Sequence, residues 1–125
     1  MKGVLIVSLE MPASQIIDRL VARLGNVNLR SLAEGLKTKS EHDGMQRALQ
    51  VLHKAPLVVR DDLFDIQSIC SVARTMAKSK MGLGVLFLDY IQLVRCDTGK
   101  DSTREREVAE VSRSLRLLEI GRAHV

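Results

Sequence analysis

Two acidic residues stand where an acid usually has work to do. In the stretch VLIVSLEM, Val4 to Met11, four apolar residues are followed by a serine, a leucine and Glu10; in VLFLDY, Val85 to Tyr90, four apolar residues run directly into Asp89. An acid after a strand can simply cap the next helix or solvate a turn, so neither is diagnostic alone. Open parallel sheets, however, bind ligands outside the carboxyl ends of their strands, where both acids fall. Two carboxylates brought close repel, and one pKa rises unless a cation lies beside them. The pair therefore predicts a bound magnesium ion and phosphate chemistry. In such chemistry one carboxylate holds the metal through its waters while the other orients or deprotonates an attacking water.

Placing the acids requires strands at Val4–Val7, Leu57–Val59 and Val85–Leu88, unbroken apolar runs of the kind found in strands covered on both faces. Helices must lie between them, and helical spacing recurs at Ile16, Ile17, Leu20, Val21 and Leu24, and again at Met45, Ala48, Leu49 and Leu52. A third stripe joins Ile66, Ile69, Cys70, Ala73, Met76 and Ala77, and a fourth Val108, Val111, Leu115 and Leu118. Pro12 suits a first helical turn, Asp65 can cap the third helix, and Ser102 with Glu105 forms a capping box before the fourth. Gly82 and Gly84 break the chain ahead of the last strand, and residues 25–40 read as one small helix between two loops. Strands alternating with helices imply an α/β fold with a mostly parallel sheet and right-handed crossovers.

Length and charge narrow the function classes. A chain of 125 residues supports one core, and no apolar run approaches the roughly 20 residues that span a membrane. No signal-peptide pattern is present and the only cysteines are Cys70 and Cys96, so a reduced, cytoplasmic setting is the simplest reading. The net charge of +4 favours a polyanionic partner, although the basic residues form no run. Phe64, Phe87 and Tyr90 are the only aromatic residues, too few for a platform that stacks many bases, so nucleic acid would be held through its phosphates.

Three segments taken together, VLIVSLEMPASQIIDRL, VLFLDYIQLV and STREREVAEVSRSLRLL, resemble in order and spacing the RecA-like ATPase domain of DnaB-type bacterial replicative DNA helicases. The resemblance implies a partial RecA-like (P-loop NTPase) sheet flanked by helices. It implies that Glu10 activates water for attack on the γ-phosphate of ATP and that Asp89 is the Walker B ligand of Mg2+. It implies a homo-hexameric ring that hydrolyses nucleoside triphosphate, moves along single-stranded DNA in its central channel and separates the duplex, with primase and a helicase loader as partners. Gln92 either senses the site or satisfies backbone groups. Arg95, Lys100 and Arg104 lie in the segment near the channel, where they contact DNA or are simply solvated.

The chain departs from that pattern in specific ways. It contains no G-x-x-x-x-G-K-[ST]: the only Gly-Lys pair, Gly99 and Lys100, is followed by Asp101 and preceded by Val94 where the first glycine should stand. The strand with a phosphate-sensing glutamine and the arginine finger, which would follow Leu118, are absent too. Residues 1–119 are therefore expected to be a segment of the ATPase domain, inactive alone and with open strand edges that favour association. Residues 120–125, IGRAHV, read as a non-native tail resembling a translated sequencing adapter, and are expected to interrupt the last helix. Pro12 replaces the serine typical of the family and removes a side-chain acceptor.

A rival reading is a non-catalytic RecA-like interaction module that docks on a helicase ring. A recombination or clock type of RecA-like ATPase would require a different segment in place of STREREVAEVSRSLR. Cys70 belongs to an apolar stripe, where packing explains it, and His42, His53 and His124 lack metal-ligand spacing. Arg113 and Arg116 match basic family positions, yet on an amphipathic helix they pair equally well with neighbouring acids.

Overall fold

The computed structural model describes residues 2–96 and 103–123, with side chains of the last helix described through 119. Gly3–Ser8 forms β1, Leu57–Arg60 forms β2 and Leu83–Asp89 forms β3. They make a parallel sheet in the order β2-β1-β3, so the first strand in sequence is the central one. The connecting helices are α1 (Ala13–Gly25), α2 (Leu29–Glu34), α3 (Lys39–Lys54) and α4 (Ile66–Lys78); α5 (Arg104–Ala123) follows β3 and a 3₁₀ turn at Ile91–Leu93.

Local chemistry explains most of these boundaries. Asp65 caps α4, taking the Ser68 amide at 3.0 Å and the Ser68 hydroxyl at 2.7 Å. Thr38 accepts the Glu41 amide at 3.1 Å while its hydroxyl meets the Glu41 carboxylate at 3.2 Å, which fixes the start of α3. α1 ends on Asn26 in the left-handed conformation, with the Val27 amide reaching back to the Ala22 carbonyl at 2.9 Å. This C-terminal wrap buries Val27 and turns the chain into α2. Gly82 enters β3 at φ 70°, a conformation that favours glycine. Before α5 the Thr103 hydroxyl receives the Arg106 amide at 3.3 Å. The cap thus falls one residue after the expected Ser102 and Glu105 box, since α5 begins at Arg104; Ser102 itself lies outside the described residues.

The core sits on one side of the sheet. Leu5 and Val7 of β1 are fully buried, and their register partners Leu86 and Leu88 on β3 face the same way. Against them pack Ile69, Cys70, Ala73 and Met76 of α4 and Val111, Leu115 and Leu118 of α5. On the other side α1 touches β2 and packs on α3, where Gly25 and Gly44 let the two helices meet backbone to backbone.

Three expectations need correction. β3 is covered on one face only, because α4 and α5 both pack on the Leu86 and Leu88 side; Val85 and Phe87 on the opposite face are 44% and 56% exposed. Leu24 and Leu49, counted on the buried stripes of α1 and α3, are exposed because those helices bury their glycine-lined faces against each other. The backbone of α5 continues as helix through Ala123, so no interruption occurs at Ile120; a single glycine, Gly121, lowers helix propensity by about 1 kcal/mol without ending an established helix.

Candidate active site at the carboxyl edge of the sheet

The carboxyl ends of β1 and β3 lie side by side. Ser8, the last residue of β1, is in register with Asp89, the last residue of β3. The ladder extends one step further, the Leu9 amide donating to the Asp89 carbonyl at 2.9 Å. Glu10 is the next residue, so both acids leave the sheet from neighbouring strands at one edge. Both residues are exposed, and neither carboxylate has a hydrogen-bond or ion-pair partner among the described residues. The peptide between Asp89 and Tyr90 is cis.

The turn that carries Glu10 is closed by Ser8. Its hydroxyl, almost completely buried, donates to the Met11 carbonyl at 2.7 Å and accepts the Met11 amide at 3.2 Å. At the far side of the turn Pro12 occupies the cap position of α1 and offers no side-chain acceptor. The first amide of α1, that of Ala13, donates to Asp61 Oδ2 at 2.7 Å, from the loop after β2. The bond runs across the sheet edge, from β2 to the element that follows β1.

The remaining candidates gather elsewhere. Gln92, in the 3₁₀ turn, lines an open cleft of about 540 Å³ together with Asp65, Leu93, Arg95, Cys96, Arg104 and Glu107. Neither Glu10 nor Asp89 is among those lining residues. Backbone pairing builds the cleft: the Arg95 amide donates to the Phe64 carbonyl at 2.7 Å, and the Ile66 amide to the Arg95 carbonyl at 2.9 Å. These bonds lash the segment after β3 to the start of α4. The Arg104 guanidinium donates to the Val94 carbonyl at 3.1 Å and to Glu107 at 2.6 Å, so its donors are already partly committed. The Arg95 residue is exposed. Lys100 lies outside the described residues.

The Ser68 hydroxyl and amide hold the Asp65 carboxyl below its ordinary pKa. Arg60 and Asp62 form a two-pronged pair at 2.7 and 2.8 Å, whose hydrogen bonds lower the acid and raise the base. Burial pushes the Cys70 thiol up, as expected of a packing residue. Among the described residues no three His, Cys, Asp or Glu side chains converge as a metal cage.

Ser8 and Asp61 were not singled out by sequence reasoning. The signal for Asp61 was available, since Asp61 and Asp62 follow the apolar run of β2 as Glu10 and Asp89 follow theirs. For Ser8 there was none beyond its place at a strand end.

Comparison with known proteins identifies the family and the fold. The family described as "DnaB-like helicase C terminal domain" matches residues 1–120. The replicative DNA helicase DnaB of Geobacillus stearothermophilus is 32% identical over 121 residues, covering 94% of this chain and 26% of that protein. That of Buchnera aphidicola subsp. Schizaphis graminum is 35% identical over 119 residues, covering 94% and 25%. The chain thus spans about a quarter of the length of these relatives. Among solved structures, one described as an ATPase domain superposes with a TM-score of 0.82 at 20% identity, covering 94% of this chain and 42% of that one. A DnaB-like replicative helicase described with its interactions with primase also gives 0.82, at 21% identity, covering 94% and 29%. Both share the fold, a RecA-like sheet with its helices. Among the described residues no helix is long and apolar enough to cross a membrane. With one family matched across nearly every residue and the two acids on adjacent strand ends, the chain belongs to the DnaB-like helicase C-terminal domain family.

Proposed function

We propose that this chain is the part of a replicative DNA helicase motor that supplies the water-activating glutamate, Glu10, and the magnesium-binding aspartate, Asp89. The register of Ser8 with Asp89 carries the reading, because it sets Glu10 beside Asp89 at the edge where parallel sheets bind ligands. Glu10 accepts the proton of a water aligned with the terminal phosphate of ATP, and its freedom from any partner among the described residues keeps the carboxylate available as a base.

The residues present fit a magnesium ion bound by few protein ligands. Asp89 offers a hard, exposed oxygen donor, and magnesium is commonly held by one or two carboxylates while it keeps several waters. Asp89 would hold it; when bound, the ion supplies neutralising charge at the phosphate oxygens. The cradle of backbone amides and lysine that binds the triphosphate is encoded nowhere in these 125 residues, so the segment alone is not expected to hydrolyse ATP. Residues 1–119 are read as the motor segment and residues 120–125 as a tail foreign to it.

The exposed face of Val85 and Phe87, and the edges of β2 and β3 that pair on one side only, support a segment of a larger domain over a self-sufficient docking module. The working form is a cytoplasmic homo-hexamer on single-stranded DNA, with a helicase loader and primase as partners; primase is named for one structural neighbour. Gln92, Arg95 and Arg104 line one cleft; we read Arg95, and Arg104 through the donors it has left, as contacts to DNA phosphates, with Lys100 following in the same segment of sequence, and Gln92, three residues after Asp89, as the sensor.

The test is Glu10→Gln in the full-length protein that carries this segment. Nucleotide binding should persist while turnover falls by about 10² or more. Wild-type turnover in this variant would remove Glu10 from the role of base.

A further inference from the structure

We infer that Asp61 is a positioning residue for Glu10, acting through the amide of Ala13; the inference rests on the reading of Glu10 as the base. Glu10 makes no hydrogen bond of its own among the described residues, so the direction of its carboxylate is set by the backbone of residues 9–12. That short turn is fastened at three places. Leu9 is tied to Asp89 on the β3 side, and Met11 is tied to the buried Ser8 hydroxyl beneath. On the β2 side the only tie among the described hydrogen bonds is Ala13 N–H to Asp61 Oδ2, at 2.7 Å and 48 residues away in sequence.

Two local facts make that tie matter. Pro12 has no side-chain acceptor, so α1 has no cap of its own, and Asp61 supplies the only side-chain acceptor at its start among the described residues, taking the Ala13 amide, which a cap residue at position 12 would not reach. A serine there would cap α1 but would not anchor it to the sheet. Asp62, next in sequence, is occupied by Arg60 in a two-pronged pair, which leaves Asp61 as the acid facing the amide. A carboxylate at a helix start also satisfies an orphan donor at the positive end of the helix. Removing it frees the turn to pivot about Ser8 and moves the base relative to its water, and a displacement of about 1 Å is enough to slow a reaction.

The experiment is a mutant cycle in the full-length protein. Asp61→Ala should lower kcat for ATP hydrolysis about tenfold with the nucleotide KM unchanged. Asp61→Asn, which keeps an oxygen for the same amide, should restore kcat to within about twofold. In a Glu10→Gln background Asp61→Ala should cost nothing further, since both changes disable one base. Amide exchange at Ala13 should quicken in Asp61→Ala and stay slow in Asp61→Asn. Equal losses in the Ala and Asn variants, an undiminished loss in the Glu10→Gln background, no loss at all, or unchanged exchange at Ala13 would each overturn the role. Full turnover in Glu10→Gln alone identifies a different failure, that of the base assignment, and the positioning role falls with it.

Discussion

The amide of Leu9 donates to the carbonyl of Asp89 at 2.9 Å, which fastens the turn carrying one acid to the strand end carrying the other. Only the main chain of Asp89 takes part; its side chain is exposed and makes no bond among the described residues. Structure and chemistry can therefore be separated at this residue. Asp89→Asn should change stability by less than about 0.5 kcal/mol, as for surface substitutions away from special features. The same change in the full-length protein should abolish most magnesium-dependent hydrolysis, because an amide is a poor ligand for a hard divalent cation. Parallel melting curves and magnesium titrations of turnover check the two halves. A variant that melts early would mean that the carboxylate is structural.

The crossing of α1 and α3 makes a second prediction, this time about stability alone. A Cβ added to Gly44 would overlap the Gly25 carbonyl, a backbone atom that cannot swing aside. Gly44→Ala gains up to about 1 kcal/mol of helix propensity, but forcing the helices apart costs about 1–3 kcal/mol. Net destabilisation is expected, measured as a lower denaturation midpoint with the slope unchanged. An alanine at Gly35, where φ is +113° but space is open, tests strain without overlap and should also destabilise, by about 1 kcal/mol or more.

The fold was legible where short-range chemistry decides it. The β-branched runs at Val4, Val58 and Val85, the Asp65 cap and the break at Gly82 each depend on a few adjacent residues, and each lies where expected. The placement of Glu10 and Asp89 on one edge followed from parallel strands. What escaped depends on partners far apart in sequence. An all-apolar strand such as β3 reads as doubly buried whether or not a helix covers its second face. Leu24 and Leu49 carry the right spacing, but the paired glycines draw the contact to another face of each helix. The Asp61 bond joins loops after two different strands, and only the sheet order reveals that they are neighbours. Gln92, Arg95 and Arg104 fell on one cleft because of the pairing between Asp65 and Arg95, which no local pattern announces.

A pH-dependent contribution follows from Asp65. Its carboxyl is held below the ordinary value of 3.8, first by the Ser68 hydroxyl and then by the Ser68 amide. A carboxyl with a depressed folded pKa stabilises fully above its unfolded pKa, and the contribution is lost as pH falls through the folded value. Asp65→Ala should therefore destabilise the chain by about 1 kcal/mol at neutral pH, the usual worth of an N-cap. The gap between wild type and variant should hold down to about pH 4 and narrow as the pH is lowered further. Thermal unfolding at a series of pH values from neutral down to about 3 measures it. A gap that stays constant across that whole range would show that the charged form is not what caps α4.

The uncovered face of β3 gives the last prediction, which compares two settings for one substitution. Phe87 is 56% exposed and Val85 44%, and their register partners Ile6 and Val4 lie on the same face. Apolar surface of this kind drives association when nothing covers it. In the 125-residue chain Phe87→Ser should cost about 1 kcal/mol, from the part of the ring that is buried, while reducing self-association in sedimentation. If the remainder of a motor domain covers this face in the full-length protein, the same substitution there removes a buried aromatic and should cost about 3–5 kcal/mol. Opposite behaviour, a large loss in the short chain and none in the long one, would mean that β3 completes its own core without the rest of the domain.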